Sequence, residues 1–252
     1  MSEVMFEEAT GIEAPEIDYE RLVTEDDEPV DNLFSEKQQR LLVEPLYSSW
    51  NPRSSFIAAA NVGIFSSPYQ PAIVPDMFLS LDVQADEDLW KKENRSYYVW
   101  KFDKPPEIAV EIVSNTQGGE TGKKFRRYAR IGVWYYSIFD PQQLIQEEVL
   151  QIYQLSLGRY VLKQEHQLEQ VGLGLVLWDG VFEGLHERWL RWCDADGLLI
   201  PTGEEGRTQE RQQAEQERQR AEQAEAKALE DRQRAERLAA QLQALGVEPD
   251  YE

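Results

Sequence analysis

The chain has 252 residues, 41% of them hydrophobic, with seven tryptophans, one cysteine and a formal net charge of -21. That apolar content suffices for a sizeable core in one large domain or two small ones, and the lone Cys193 excludes an intrachain disulfide framework. No apolar stretch approaches the ~18 residues of a membrane span, and the N-terminus lacks a basic start and an apolar h-region, so the expected setting is the cytoplasm with no membrane partner.

The acid is concentrated at the start: residues 1–36 hold thirteen Asp or Glu against Arg21 alone, whereas residues 37–202 hold twenty-one acids and seventeen bases. Few apolar positions recur over 1–30, and the segment is read as a flexible acidic N-terminus. From 32 to 47, Leu33, Phe34, Leu41, Leu42, Leu46 and Tyr47 recur at helical spacing, predicting a helix capped by Asp31 or Ser35 that carries Glu36 near its start. Short apolar runs broken by Gly, Pro and Asn predict strands over 56–60, 72–83, 96–102 and 108–113. A helix over 120–131 closes at Gly132 and leads to a strand over 134–139, after which 151–155, 159–164 and 173–178 read as a closing antiparallel meander. This order describes an α+β domain over 31–202.

Beyond Pro201 the composition shifts to Glu, Gln, Arg and Ala, and the absence of Gly, Pro and aromatics between Gln209 and Gly246 predicts one long charged helix in 203–252. Ala214, Ala221, Ala228, Ala235 and Leu242 recur every seven residues, each followed three residues later by Glu217, Ala224, Asp231, Leu238 and Leu245. That heptad has a weak first half and an apolar end. It suits a homodimer or coiled-coil partner through 209–245, or a lone helix braced by its own ion pairs.

Two carboxylates stand out in apolar strands, Asp76 in AIVPDMFLSLDV and Glu111 in PEIAVEIVS. Burying either alone would cost several kcal/mol. Alternation puts Ile108, Val110 and Ile112 on one face of the strand and Ala109, Glu111 and Val113 on the other. On the next helix Phe125, Tyr128, Ala129 and Ile131 form an apolar stripe with Lys124 at its edge, while Lys123, Arg126, Arg127 and Arg130 point away. Two half-buried carboxylates and a lysine are the minimum equipment of a metal-dependent phosphodiester hydrolase. A buried ion pair at Glu111, a turn at Asp76 and a snorkelling Lys124 are the structural alternatives. Trp178, Phe182, Trp189, Trp192 and Cys193 read as core.

The string PPEIAVEIVSNTQGGETGKKFRRYARIGVWYYSIFDP, preceded by VPDMFLSLDV and followed by LGLVLWDG and WLRWCDADGLLIPTG, resembles the Uma-type restriction endonuclease family of the PD-(D/E)XK superfamily over about residues 30–202. The resemblance implies a restriction-endonuclease-like mixed sheet flanked by helices and an endonuclease acting on DNA with Mg²⁺ or Mn²⁺. It puts PD on Pro75-Asp76 and the second acid on Glu111. Val113 stands where the superfamily has lysine, and Lys124 occupies the place from which this family supplies it. It further implies metal ligation by Asp76, Glu111 and the Ile112 carbonyl, with Glu36 as an added acid near the metal. Lys123, Arg126, Arg127 and Arg130 are the implied phosphate contacts. The alternative is a catalytically idle nuclease fold serving as a scaffold, which the acidic N-terminus and net charge favour.

Overall fold

The computed structural model describes residues 17–22, 32–115 and 119–244. The expectations for the rest of 1–30, for Asp31 as a cap and for Leu245 as a heptad position lie outside the described residues. Within the stretch expected to be flexible, Tyr19–Arg21 form a 3-10 turn, and Leu22 is buried against Phe65 and Tyr98.

The first long helix, α1, spans Leu33–Ser48 and is capped by Asn32, whose side chain accepts the Ser35 N–H at 2.9 Å, so Ser35 is not the cap. Asn32 is preferred because its extended backbone frees the amide oxygen to reach three residues ahead. Strand β1 (Phe56–Ala59) and the short β2 (Ile64–Phe65) precede β3 (Met77–Leu81). The predicted strand over 96–102 is only partly extended: β4 is Tyr97–Tyr98, and Val99–Phe102 wind into one helical turn, α2. The turn brings Phe102 back to stack on Tyr97 at 4.6 Å between ring centroids. An alternating reading of apolar residues could not reveal this local pairing.

β5 (Ile108–Ile112), α3 (Phe125–Ile131) and β6 (Tyr135–Phe139) form a parallel crossover, followed by β7 (Leu150–Ser156) and β8 (Arg159–Lys163). The six-stranded sheet runs β1-β3-β5-β6-β7-β8, with only the β5–β6 pair parallel. The expected closing meander divides here. β7 and β8 extend this sheet, whereas β9 (Gln167–Leu168), β10 (Leu173–Phe182) and β11 (Leu185–Cys193) make a second one. The sequence reading ended β10 early and missed β11. The hairpin turns on Glu183 and Gly184, both at positive φ (46° and 79°), the geometry of a tight two-residue hairpin turn.

Sheet alternation sets two cores. Ile108, Val110 and Ile112 pack with Leu42 and Leu46 of α1 and Trp192, whereas Ala109 and Val113 join Phe78, Tyr128, Tyr136 and Tyr160. α1 is tied to the second sheet by Gln38, whose amide pairs with both the N–H and the carbonyl of Leu190 (2.9 and 2.8 Å), and Trp192 donates to the Leu42 carbonyl at 2.7 Å. Trp189, Trp192 and Cys193 are buried as expected of core residues.

Residues 201–252 form a separate compact unit. Its helix α4, Gly203–Ala244, opens on a capping box in which Thr202 Oγ1 accepts the Glu205 N–H while Glu205 accepts the Thr202 N–H. Among the described residues no helix is long and apolar enough to cross a membrane.

Candidate functional site

β3 and β5 pair with Met77 opposite Val110 and Phe78 opposite Ala109. Carried one residue further, this register sets Asp76 opposite Glu111, and facing residues of an antiparallel pair hold their Cβ atoms about 4.5–5.5 Å apart. Pro75 has no N–H and cannot extend the ladder. The Asp76 side chain takes over, its Oδ2 accepting the Ile112 N–H at 2.7 Å. Oδ1 accepts from Gln39 of α1 at 2.9 Å, and Gln39 exchanges side-chain hydrogen bonds with Asn61.

Glu111 receives its partners from the crossover. Gly119, at φ 74°, opens a wide π-type turn over Glu120–Lys124 that runs directly into α3. Such widened turns recur at functional sites. Lys124 and Tyr128 are four residues apart and so share a helical face. Lys124 Nζ donates to Oε2 and the Tyr128 hydroxyl to Oε1, each at 2.7 Å. The Glu111 side chain is only 1% exposed, against 30% for Lys124.

The electrostatics follow from placing two carboxylates and one ammonium in an apolar layer. Burial pushes Glu111 up to about 8, with Asp76 adding to the rise and Lys124 and Tyr128 opposing it. Burial likewise raises Asp76, against the pull of the Ile112 N–H, Lys124 and Gln39. For Lys124 burial acts downward, but Glu111, Asp76 and Glu120 together hold the ammonium above its usual range. In the metal-free fold Lys124 therefore carries its positive charge beside Glu111. With both carboxylates ionised the trio is one positive charge short, a deficit that a divalent cation with a taste for oxygen ligands would cover. The donor chemistry thus fits such an ion. Among the described residues no group of three or more His, Cys, Asp or Glu is arranged to hold a metal, so other ligands would come from backbone carbonyl or water.

The family model described as "Uma2: Putative restriction endonuclease" matches residues 6–180. The chain belongs to the Uma2 family. Its α+β architecture, a mixed sheet flanked by helices and followed by a long charged helix, is restriction-endonuclease-like, and the family is one of nucleases. A solved chain from Anabaena variabilis ATCC 29413, titled "a putative nuclease belonging to DUF820", is 16% identical at a TM-score of 0.38, covering 55% of this chain and 71% of that one. No curated protein matches.

Not every residue singled out from the Uma2 sequence reaches the carboxylates. Glu36 turns to Arg40, one helical turn along α1, at 2.7 Å, and Arg40 also binds Glu183 of the hairpin turn. α1 instead presents Gln39, three residues on. Lys123, Arg126 and Arg130 are exposed on the outer face of the crossover helix. Arg127 departs from them: its guanidinium binds the carbonyls of Pro71 and Ala72, tying down the segment that leads into Asp76, and burial lowers its basicity. Sequence reasoning missed Gln39 and Asn61 as site residues and counted Tyr128 only as apolar. The spacing of Lys124 and Tyr128 was the signal for the latter.

Proposed function

We propose that this Uma2 member hydrolyses phosphodiester bonds in DNA with Mg²⁺ or Mn²⁺, using Asp76, Glu111 and Lys124. The observation that supports it best is the pairing of a buried carboxylate, Glu111, with the half-buried Asp76 across β3 and β5, with a single ammonium brought to them from another element. Asp76, Glu111 and the Ile112 carbonyl would hold the cation, which when bound supplies Lewis acidity toward the phosphate and makes water more acidic.

The chain's own residues do the rest. The Ile112 N–H and Gln39 fix both oxygens of Asp76, and Tyr128 and Lys124 fix those of Glu111, so both carboxylates are oriented before substrate arrives. The Lys124 ammonium stabilises negative charge that grows on the phosphoryl oxygens. Lys123, Arg126 and Arg130 contact neighbouring phosphates without reading sequence, while Arg127 steadies the approach to Asp76. The buried thiol of Cys193 suits a reducing cytoplasm.

Purified protein is expected to cut plasmid or single-stranded DNA with Mg²⁺ or Mn²⁺, and to be inert in chelator or as Asp76→Ala. Undiminished cleavage by Asp76→Ala sinks the assignment. Neither cleavage nor a rise in melting temperature with either ion favours the idle scaffold.

For α4 the proposal is self-association through its last heptads. The helix is exposed along nearly its whole described length, and Arg218–Glu222 and Arg232–Glu236 brace it internally, each at 3.1 Å. Leu238 and Leu242 remain 51% and 37% exposed, the apolar seam where the heptad is strongest. Sedimentation should show a concentration-dependent dimer for residues 1–252 and a monomer for 1–202; equal behaviour leaves α4 a lone charged helix.

A further inference from the structure

On the face of the sheet that Asp76 shares with Phe78 lies a cavity of about 570 Å³ whose walls are mainly apolar. Its floor includes Phe78, two residues along β3 from Asp76 and therefore pointing to the same side. The separation along the strand is about 7 Å. Ala59 and Val62 line another wall and bracket Asn61, the residue that steadies Gln39 against Asp76. The cavity and the carboxylates thus share two segments of backbone and side-chain network.

The mouth carries aromatic surface. Trp90 is 85% exposed and Tyr47 58% exposed. An exposed tryptophan on a mobile tip would mean little, but this one stands on a knitted loop. The Trp90 N–H donates to Asp88 Oδ1, its carbonyl accepts from Arg95 Nε, and Asn94 Nδ2 donates to the Asp88 carbonyl. Along one edge Lys101 binds both Asp86 and Asn94, so a carboxylate, an amide and an ammonium sit together at the rim of an apolar hole. Flat aromatic faces beside a mixed donor and acceptor edge match the chemistry of a nucleobase, apolar on its faces and polar on its rim. The size lies within the range of small-ligand pockets. Phosphate is a poor match, because Asp86 would repel it.

We propose that this cavity receives an unstacked nucleobase from the strand whose phosphate lies at Asp76 and Glu111, with Trp90 as the stacking face. The inference rests on the nuclease reading and gives its substrate a class: single-stranded or locally unpaired DNA. A duplex would have to be opened before it could fill the pocket, whereas a single strand offers its bases at little cost.

The test measures binding of fluorescein-labelled single-stranded and duplex oligonucleotides by anisotropy in chelator, and cleavage of the same oligonucleotides with Mn²⁺. Wild type should bind the single strand more tightly, and one abasic site moved along that strand should weaken binding at a single preferred position. Trp90→Ala should weaken single-strand binding about tenfold and erase the positional effect, with Trp90→Phe keeping most of both. Because Trp90 is exposed, an unchanged melting temperature should accompany the loss. Wild-type cleavage together with a Trp90→Ala that binds the single strand as tightly as wild type, or equal binding of duplex and single strand, overturns the pocket and leaves the nuclease reading standing. Position-dependent binding without cleavage supports the pocket and overturns the hydrolytic role.

Discussion

Replacing Glu111 by glutamine is expected to abolish metal-dependent cleavage while making the metal-free protein more stable above neutral pH. Glu111 keeps its proton in the fold up to about 8, whereas an unfolded glutamate loses it near 4.3. Between those values the folded state holds the extra proton, so stability falls as pH rises. The contribution is fully present below about pH 4 and is lost as pH climbs through about 8. Asp76, also raised by burial, acts in the same sense, and the slope belongs to the pair rather than to either member. The wild-type melting temperature in chelator should therefore decline from pH 5 to 8, with a free-energy loss of about 3–5 kcal/mol. Glu111→Gln should flatten most of that decline. Activity should drop at least ~10³-fold, since an amide is a poor ligand for a hard cation. Excess Mg²⁺ at pH 8 should restore stability to wild type, by about 2.7 kcal/mol at a hundredfold excess over Kd, and do little for the variant. Equal pH slopes for the two proteins would remove the buried-pair account.

What could be read from the sequence, and what could not, divides along physical lines. Strand alternation is local, so the opposite faces of Val110 and Glu111 followed from their spacing, as did the edge position of Lys124 on its helix. Register is not local. Nothing in AIVPDMFLSLDV says that Met77 pairs with Val110; apart from the family resemblance, only that pairing brings the two anomalies together. The same limit hid Gln39, which looks like an ordinary polar residue of α1 until the helix is packed against Asp76. Tyr128 was misread because a tyrosine on an apolar stripe is indistinguishable from core until its hydroxyl finds a buried acceptor. The partner of Glu36 is legible by contrast: Arg40 lies four residues on, at the spacing of an intrahelical ion pair. β11 was missed because LHERWLRWC mixes charge and aromatics, yet the inner half of that strand is buried and its outer half exposed.

The sharper test of how the three groups cooperate is Lys124→Met, alone and combined with Glu111→Gln. Methionine fills the space of the lysine stem and removes only the charge. Below pH 6 Glu111 still holds its proton, and the single variant should lose only about 1 kcal/mol, the worth of one hydrogen bond. Near pH 9 the wild type has the ionised Lys124–Glu111 pair, whereas the variant must either bury an uncompensated carboxylate or hold a proton on Glu111 that the pH disfavours, and removing one member of a buried ion pair costs about 3–5 kcal/mol. A merely structural surface lysine would show no such dependence on pH. In the double variant the second buried charge is gone as well, so stability at pH 9 should return toward that of Glu111→Gln, giving a coupling of about 2 kcal/mol or more in the thermodynamic cycle. Cleavage should follow a different rule: Lys124→Met should cost about 10²–10³-fold, as losing one preorganised charge donor does, and the double variant should recover none of it. Stability that recovers while activity does not would separate the ion pair's part in the fold from its part in chemistry. If Lys124→Met instead destabilises equally at pH 6 and pH 9, Glu111 is ionised at both, and its retention of a proton up to about 8 is wrong.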